Sequence, residues 1–351
     1  MAYTVQTQPS QDGNSVDLDR ERFNAEQTTF NAQTSSESGG LELEKESKAA
    51  RYPSYRVDGV SVYAQLDWHA TDNLTLSGGA RRQQMDVDVS DFKGVPGGSN
   101  DYQVNLFNIG AIYDFKNGHQ VWSNYGEGFD LPDPAKYYGK PGLSVADNPL
   151  AGIKSRQVEL GWRYADLDWD AQAALYYIWS DKIINVDSQT LTIDVEEQKS
   201  RDFGFEGALT RHFQTGWEAG GTLHMTRSEE EAEDGGWIKR DARYASLSKA
   251  TAFVGWKGDG RSARLQANHA FSLKDDADHE IDGYTTFDLL GSQDTGFGTF
   301  SAGIQNLLDK QYSTVWGQRA TLFYSPTYGP AYLYDYQGRG RTYTLTWSMA
   351  Y

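Results

Sequence analysis

The final eleven residues, Arg341-Thr-Tyr-Thr-Leu-Thr-Trp-Ser-Met-Ala-Tyr351, alternate without a break between large apolar and small or hydroxyl side chains. Tyr343, Leu345, Trp347, Met349 and Tyr351 fall on one face; Thr342, Thr344, Thr346, Ser348 and Ala350 fall on the other. A period of two predicts a strand with one greasy face and one wet face. A bilayer-crossing strand needs roughly ten residues, with aromatics where hydrocarbon meets headgroup. This segment has that length and ends on an aromatic.

The pattern recurs from Val57 onward in segments of about 10–14 residues. Val60, Val62, Ala64, Leu66 and Trp68 form one stripe, and Phe107, Ile109, Ala111, Tyr113 and Phe115 another. Val158, Leu160, Trp162 and Tyr164 continue it, followed by Trp169, Ala171, Ala173, Leu175 and Tyr177. The opposite faces carry ionised or amide groups, among them Glu159, Arg163, Gln172, Glu206, Arg264 and Asn268. So many alternate charges cannot enter a dry core, because each would need a partner there. They can face a wide, watered lumen. The fold class read from the chain is therefore all-β, an antiparallel transmembrane β-barrel.

Connections alternate in length. Short ones include Thr71-Asp-Asn73, Lys116-Asn-Gly118, Ala165-Asp-Leu167, Gln214-Thr-Gly216 and Gly258-Asp-Gly260, all rich in turn formers. Long ones run roughly over 87–101, 129–153, 181–201, 228–248 and 309–338. Short periplasmic turns opposite longer external loops are the asymmetry of outer-membrane barrels. The count is about 13 strands, plus two weaker ones between Ser15 and Ser47, giving a partial barrel of about 14–15. Residues 1–16 read as the remnant of an external loop and 17–351 as barrel. No helical pattern longer than a turn or two is expected.

Composition agrees. Hydrophobic residues make up only 38% while aromatics reach 13%, which suits a barrel whose outer face alone must be apolar. The net charge of −17 opposes nucleic-acid binding through phosphate neutralisation. Cysteine is absent, which removes disulfides, thiolate zinc sites and thiol nucleophiles. Acidic runs such as Glu229 to Asp234 and Asp275 to Glu280 read as solvated loop surface, with divalent-cation bridging to lipid headgroups as the alternative.

Enzyme signatures are lacking: the six histidines are dispersed, and no metal-protease, nucleophile-elbow, Walker or dinucleotide motif occurs. Asp130 and Asp133 could form a catalytic pair, but nothing sets a base beside them. The expectation is a protein that is not an enzyme.

Asn306-Leu-Leu-Asp-Lys-Gln-Tyr312, followed by a long loop and the terminal aromatic strand, resembles a signature near the C-terminus of TonB-dependent outer-membrane receptors. Ser123-Asn-Tyr-Gly-Glu-Gly-Phe-Asp-Leu-Pro132 is similar to a second recurrent element of that family. Thr314-Val-Trp-Gly-Gln-Arg-Ala320, Tyr324-Ser-Pro-Thr-Tyr-Gly-Pro330 and 333–342 resemble the last external loop of the ferric aerobactin receptor group. Asp133-Pro-Ala-Lys-Tyr-Tyr-Gly139, Asn148-Pro-Leu-Ala-Gly-Ile-Lys154 and Ile281-Asp-Gly-Tyr-Thr-Thr286 are similar to the same group.

The resemblance implies a receptor for a ferric siderophore of hydroxamate–citrate type, energised through TonB by way of an N-terminal plug. It also implies a monomer in outer-membrane lipid, with no cofactor of its own, since iron travels inside the siderophore. The chain shows no plug, TonB box or signal peptide, so the expectation is the C-terminal part of such a barrel, not competent alone. A passive porin-like channel and a surface-attached binding sandwich are the competing classes.

An aromatic vestibule with cationic donors suits a compact polar anion, because Arg presents a planar fork to carboxylates. The last loop supplies Trp316, Gln318, Arg319, Tyr324, Tyr328 and Tyr334; an earlier one supplies Lys136, Tyr137 and Tyr138. These aromatics could instead pack loop against loop. Tyr343, Trp347 and Tyr351 are assigned to lipid.

Overall fold

The computed structural model describes residues 28–35 and 42–349. β1 (Thr28–Ser35) and β2 (Glu42–Ala50) pair antiparallel as a separate two-stranded sheet. The two weaker strands expected between Ser15 and Ser47 thus correspond to a hairpin displaced toward Ala50. The proposed 1–16 loop remnant lies outside the described residues, as does Tyr351.

The wall follows. β3 (Tyr55–His69), β4 (Leu74–Val89), β5 (Gly98–Asp114) and β6 (His119–Asp130) lead into a short helix, α1 (Pro134–Tyr137). β7 (Ile153–Ala165) and β8 (Trp169–Ser180) precede a small hairpin of β9 (Ile183–Val186) and β10 (Ile193–Glu196). β11 (Ser200–His212) and β12 (Trp217–Glu231) precede β13 (Trp237–Lys239). β14 (Lys249–Gly258) and β15 (Arg261–Ala270) precede a second hairpin, β16 (Leu273–Lys274) and β17 (Glu280–Ile281). β18 (Tyr284–Thr295), β19 (Gly298–Gln305), helix α2 (Val315–Tyr328) and β20 (Thr342–Ser348) complete the order.

Fourteen strands form one antiparallel sheet in the order β20-β19-β18-β15-β14-β12-β11-β8-β7-β6-β5-β4-β3, with β13 attached to β12. Among the described residues β3 and β20 are its two ends, so the curved sheet does not close. The register fixes two faces. Val158 opposes Tyr177, Tyr177 opposes Phe203, and Ala302 opposes Leu345, so apolar residues meet apolar residues across neighbouring strands. That face is bare: Val62 is 72%, Ile109 63% and Leu345 78% exposed. Rows of exposed apolar side chains on most wall strands are unfavourable in water, at about 25 cal/mol per Å², and are stable only against hydrocarbon.

The other face carries a polar network. Trp122 Nε1 donates to Glu159 Oε1 at 2.5 Å, and Asn268 Nδ2 donates to Asp288 Oδ2 at 2.8 Å. The Tyr176 hydroxyl lies 2.8 Å from His224 Nε2. Gly161 is required beneath Trp122, since a Cβ there would stand 2.0 Å from the indole ring.

Every connection at one end is a tight turn. At Asp259 (φ 50°) and Gly260 (φ 69°) two successive left-handed residues make the primed turn that a twisted hairpin favours. All helices and small hairpins lie at the opposite end, as the alternation of loop lengths predicts. Three expectations need correction. The 309–338 loop contains the fourteen-residue helix α2, which the sequence did not suggest. β4 and β5 extend into 87–101 from both sides, leaving a loop of only 90–97. A further long connection, 271–283, read from the sequence only as a solvated acidic run over Asp275 to Glu280, holds β16 and β17.

Candidate functional site

Buried apolar side chains gather at the long-loop end. One cluster holds Val87, Val89, Tyr138, Val145 and Leu150; the other holds Ala242, Leu247, Ala270 and Ile281. The wall can dispense with a core because its outer face is apolar. The loops cannot, so they build one of their own.

The first cluster is organised by α1. Asp133 caps it, accepting from the Ala135 and Lys136 amides at 2.9 and 3.3 Å, and Pro134 preconditions the first turn. Tyr138 is buried. Its hydroxyl accepts from Asn100 Nδ2 (2.6 Å) and the Leu150 amide (2.9 Å) and donates to the Asn148 carbonyl (3.0 Å). Burial raises its pKa, so the phenol stays neutral. Tyr137 stacks edge-on against it at 5.0 Å. Of this trio, Lys136 alone reaches the adjoining cavity.

The second cluster holds α2 as a strap. Thr314 caps it by accepting from the Gly317 amide at 2.9 Å. Val315 and Leu322 pack against the cluster, and Ala320 is fully buried. Gln318 clamps the β17–β18 link: its Oε1 accepts from the Asp282 amide at 2.6 Å and its Nε2 donates to the Asp282 carbonyl at 3.1 Å. Arg319 donates to the carbonyls of Ala242 (3.2 Å) and Ala245. At the far end Thr327 Oγ1 lies 3.2 Å from Ser188 Oγ, and the Tyr328 hydroxyl donates to the Gln189 carbonyl. Tyr324 packs on Tyr328 and Tyr334, with centroids 6.2 and 5.6 Å apart.

Between α2, the loops and the lumen lies a cavity of about 1140 Å³. Its aromatic lining includes Tyr52, Tyr244, Tyr284, Trp316, Phe323 and Tyr324. Lys136, Arg240, Arg243, Lys249 and Arg319 give it positive charge at the loop end. Glu159, Asp202 and Glu206 on the wall strands give it negative charge in the lumen. Of the nine expected ligand residues, Lys136, Trp316, Arg319 and Tyr324 line this space. Tyr137, Tyr138, Gln318, Tyr328 and Tyr334 are not part of its lining, and hold the surrounding loops instead.

Sequence reasoning missed Arg240, Arg243 and Tyr244, whose grouping in Arg240-Asp-Ala-Arg-Tyr244 was the available signal. The two guanidinium carbons lie 5.9 and 5.8 Å from the Tyr244 ring centroid. Asp241 accepts Arg243 Nε at 2.9 Å on each oxygen. Burial pushes its carboxyl upward, but the Arg243 hydrogen bonds outweigh this and hold it below the usual range.

Asp275 fastens the whole segment. Its Oδ2 accepts from the Ala242 amide and His279 Nδ1, and its Oδ1 accepts from the Ala277 and His279 amides, all at 2.9 Å. Burial raises this carboxyl, and the hydrogen bonds overcome that and lower it overall. Asp241, Asp275 and His279 offer ligand atoms within 4.8 Å of one another. Those hydrogen bonds already account for the grouping as a loop anchor. Two of the acidic runs are therefore only partly solvated surface, because Glu229 and Asp275 are buried and bonded.

The wall, its bare apolar face, its polar lumen and its one-sided loops define an outer-membrane β-barrel. The sequence profile described as "TonB dependent receptor-like, beta-barrel" matches residues 3–307, and the chain belongs to that family. It is 39% identical to a ferric aerobactin receptor of Klebsiella pneumoniae, over 96% of this chain and 50% of the relative. It is 36% identical to a rhizobactin receptor of Rhizobium meliloti, over 94% of this chain and 48% of the relative. The chain thus spans about half the length of the curated relatives it matches. Among solved structures, the copper transporter OprC superposes with a TM-score of 0.70 at 14% identity, covering 90% of this chain and 50% of that one. The ferric yersiniabactin uptake receptor FyuA of Yersinia pestis gives 0.59 at 21% identity, covering 78% and 44%. Both likenesses concern the fold. Membership of the family assigns the chain to the outer membrane of Gram-negative-type cells.

Proposed function

We propose that this chain forms the ligand-receiving barrel of a TonB-energised ferric siderophore receptor of the hydroxamate–citrate type. The observation that carries the reading is the cavity beneath α2, aromatic on its sides and cationic at its loop end. A ferric hydroxamate–citrate complex is compact, anionic and rich in oxygen acceptors. Rings supply rigid contact area to it, and Arg240, Arg243 and Lys249 supply charge-assisted hydrogen bonds. The names of the relatives at 36–39% identity support the same ligand class. The acidic lumen wall below repels such an anion, so the ligand rests in the vestibule until the lumen itself is rearranged.

In this reading iron remains cargo inside its siderophore, the barrel has no resident cofactor, and no chemistry is done on the ligand. The barrel acts as a monomer, and TonB engages through a plug outside this chain. Intrinsic fluorescence quenching by ferric aerobactin, on the intact receptor in outer-membrane vesicles, tests the reading. Arg240→Ala with Lys249→Ala should weaken binding at least tenfold, whereas Tyr343→Ala on the lipid face should leave it unchanged. Equal effects of the two changes would refute the site. A ligand-independent ohmic conductance with no saturable binding would favour a passive channel.

A further inference from the structure

The outer face changes character toward the long-loop end of five neighbouring strands, at positions that shift by no more than two residues from one strand to the next. Moving toward the long-loop end, the outward stripe passes from Tyr125 to Glu127, from Val158 to Arg156, from Trp179 to Asp181, from Phe203 to Arg201, and from Met225 to Arg227. Side chains two apart share a face, so these ionised groups stand directly above the bilayer-facing rows. Glu127 pairs with Lys154 at 2.9 Å, Arg156 with Asp181 at 3.1 Å, and Arg227 with Glu229 at 2.6 Å. Arg201 closes on the same Glu229 at 2.5 Å. Four cations therefore share three carboxylates, which leaves a positive excess on a chain whose net charge is −17.

The excess is localised. Glu229 is buried between its two arginines and is satisfied by both. Arg201 spends its fork on Glu229 and lies with its guanidinium carbon 3.9 Å from the Trp237 ring centroid. Arg227 gives only Nε to Glu229, its side chain is 58% exposed, and its two terminal nitrogens meet no partner among the described residues. A guanidinium held in place by one carboxylate, with its fork turned outward at the hydrocarbon boundary, presents two parallel donors to a tetrahedral anion.

We propose that Arg227, seated on Glu229 beside Arg201, binds the phosphate of an anionic lipid in the outer leaflet. The partner is a lipid headgroup rather than free phosphate, because the donor stands directly across from Phe203 and two residues beyond Met225, where the apolar rows give way to ionised groups. Acidic residues that the sequence suggested for cation-bridged lipid contact thus serve to hold the arginine that makes the contact directly.

The test uses the intact receptor in phosphatidylcholine nanodiscs doped with lipid A, with bound lipid counted by native mass spectrometry. Arg227→Gln should lower lipid A retention about fivefold, the effect of one interfacial cation. Arg227→Lys should keep most of it. Arg211→Gln, at the short-turn end where Arg211 covers Trp169, should change nothing. Inorganic phosphate should not displace the lipid. Retention in Arg227→Gln equal to wild type would overturn the proposal, and so would equal retention of lipid A stripped of its phosphates. Neither result depends on siderophore binding.

Discussion

Replacing Asp275 by alanine should release the segment that carries Arg240, Arg243 and Tyr244 while leaving the wall intact. The Ala242 amide would lose its acceptor inside a site where Ala242 itself has no exposure, at a cost of about 2–3 kcal/mol. The Ala277 and His279 amides are partly exposed and regain water, so each adds about 0.5–1 kcal/mol. Local opening should therefore become easier by about 3–5 kcal/mol, or roughly two to three and a half orders of magnitude in exchange rate. Hydrogen–deuterium exchange followed by mass spectrometry reads this directly. Peptides covering 240–247 and 275–282 should lose protection at least a hundredfold, and those from β14 and β15 should not change. Less than tenfold loss would refute the anchor, as would equal loss in the strands.

Further outcomes follow from the same geometry. Because the folded carboxyl of Asp275 lies below its ordinary value of 3.8, the anchor is complete above that pH and fails as pH falls through the lowered folded value. Loop exchange in wild type should thus accelerate only below about pH 4, and a transition centred near neutrality would contradict this. Ser188→Cys with Thr327→Cys should crosslink α2 to the β9–β10 hairpin, since the native oxygens lie 3.2 Å apart and these 351 residues contain no other cysteine. If ligand enters past the strap, oxidation should slow ferric aerobactin binding and reductant should restore it; identical on-rates would show another entrance. Gly161→Val should prevent Trp122 from lying across β7, and the heat-modifiable folded band on a gel should be lost. Survival of that band at wild-type levels would count against the role given to Gly161.

The wall was legible because its physics is local. A strand between lipid and water must alternate at every second residue, and Val158-Glu159-Leu160 states this without any knowledge of neighbours. The strap was hidden for an equally physical reason. α2 contains Gly317 and Pro326, both poor helix residues, and its hydroxyl and aromatic side chains carry no clean stripe of period 3.6. Its helicity comes from tertiary contacts, through Thr314, Gln318 and Arg319. The cavity lining was half legible. Trp316 and Arg319 sit in an aromatic-cationic loop that drew notice, whereas Arg240 and Arg243 are positioned by a carboxylate 33 residues away from Ala242. Tyr138 and Gln318 share the composition of ligand residues, but burial and backbone hydrogen bonds occupy them elsewhere.

The alternation of environments along a single strand is most directly measured by spin labels. The cysteine-free chain accepts single labels at Leu160 and Glu159 of β7, adjacent residues in the interior of the sheet. In native outer membranes, the label at 160 should relax with oxygen and ignore a water-soluble nickel chelate, while the label at 159 should do the reverse. The same accessibility at both positions would mean that the outward rows never meet lipid, and the barrel interpretation would fail with them.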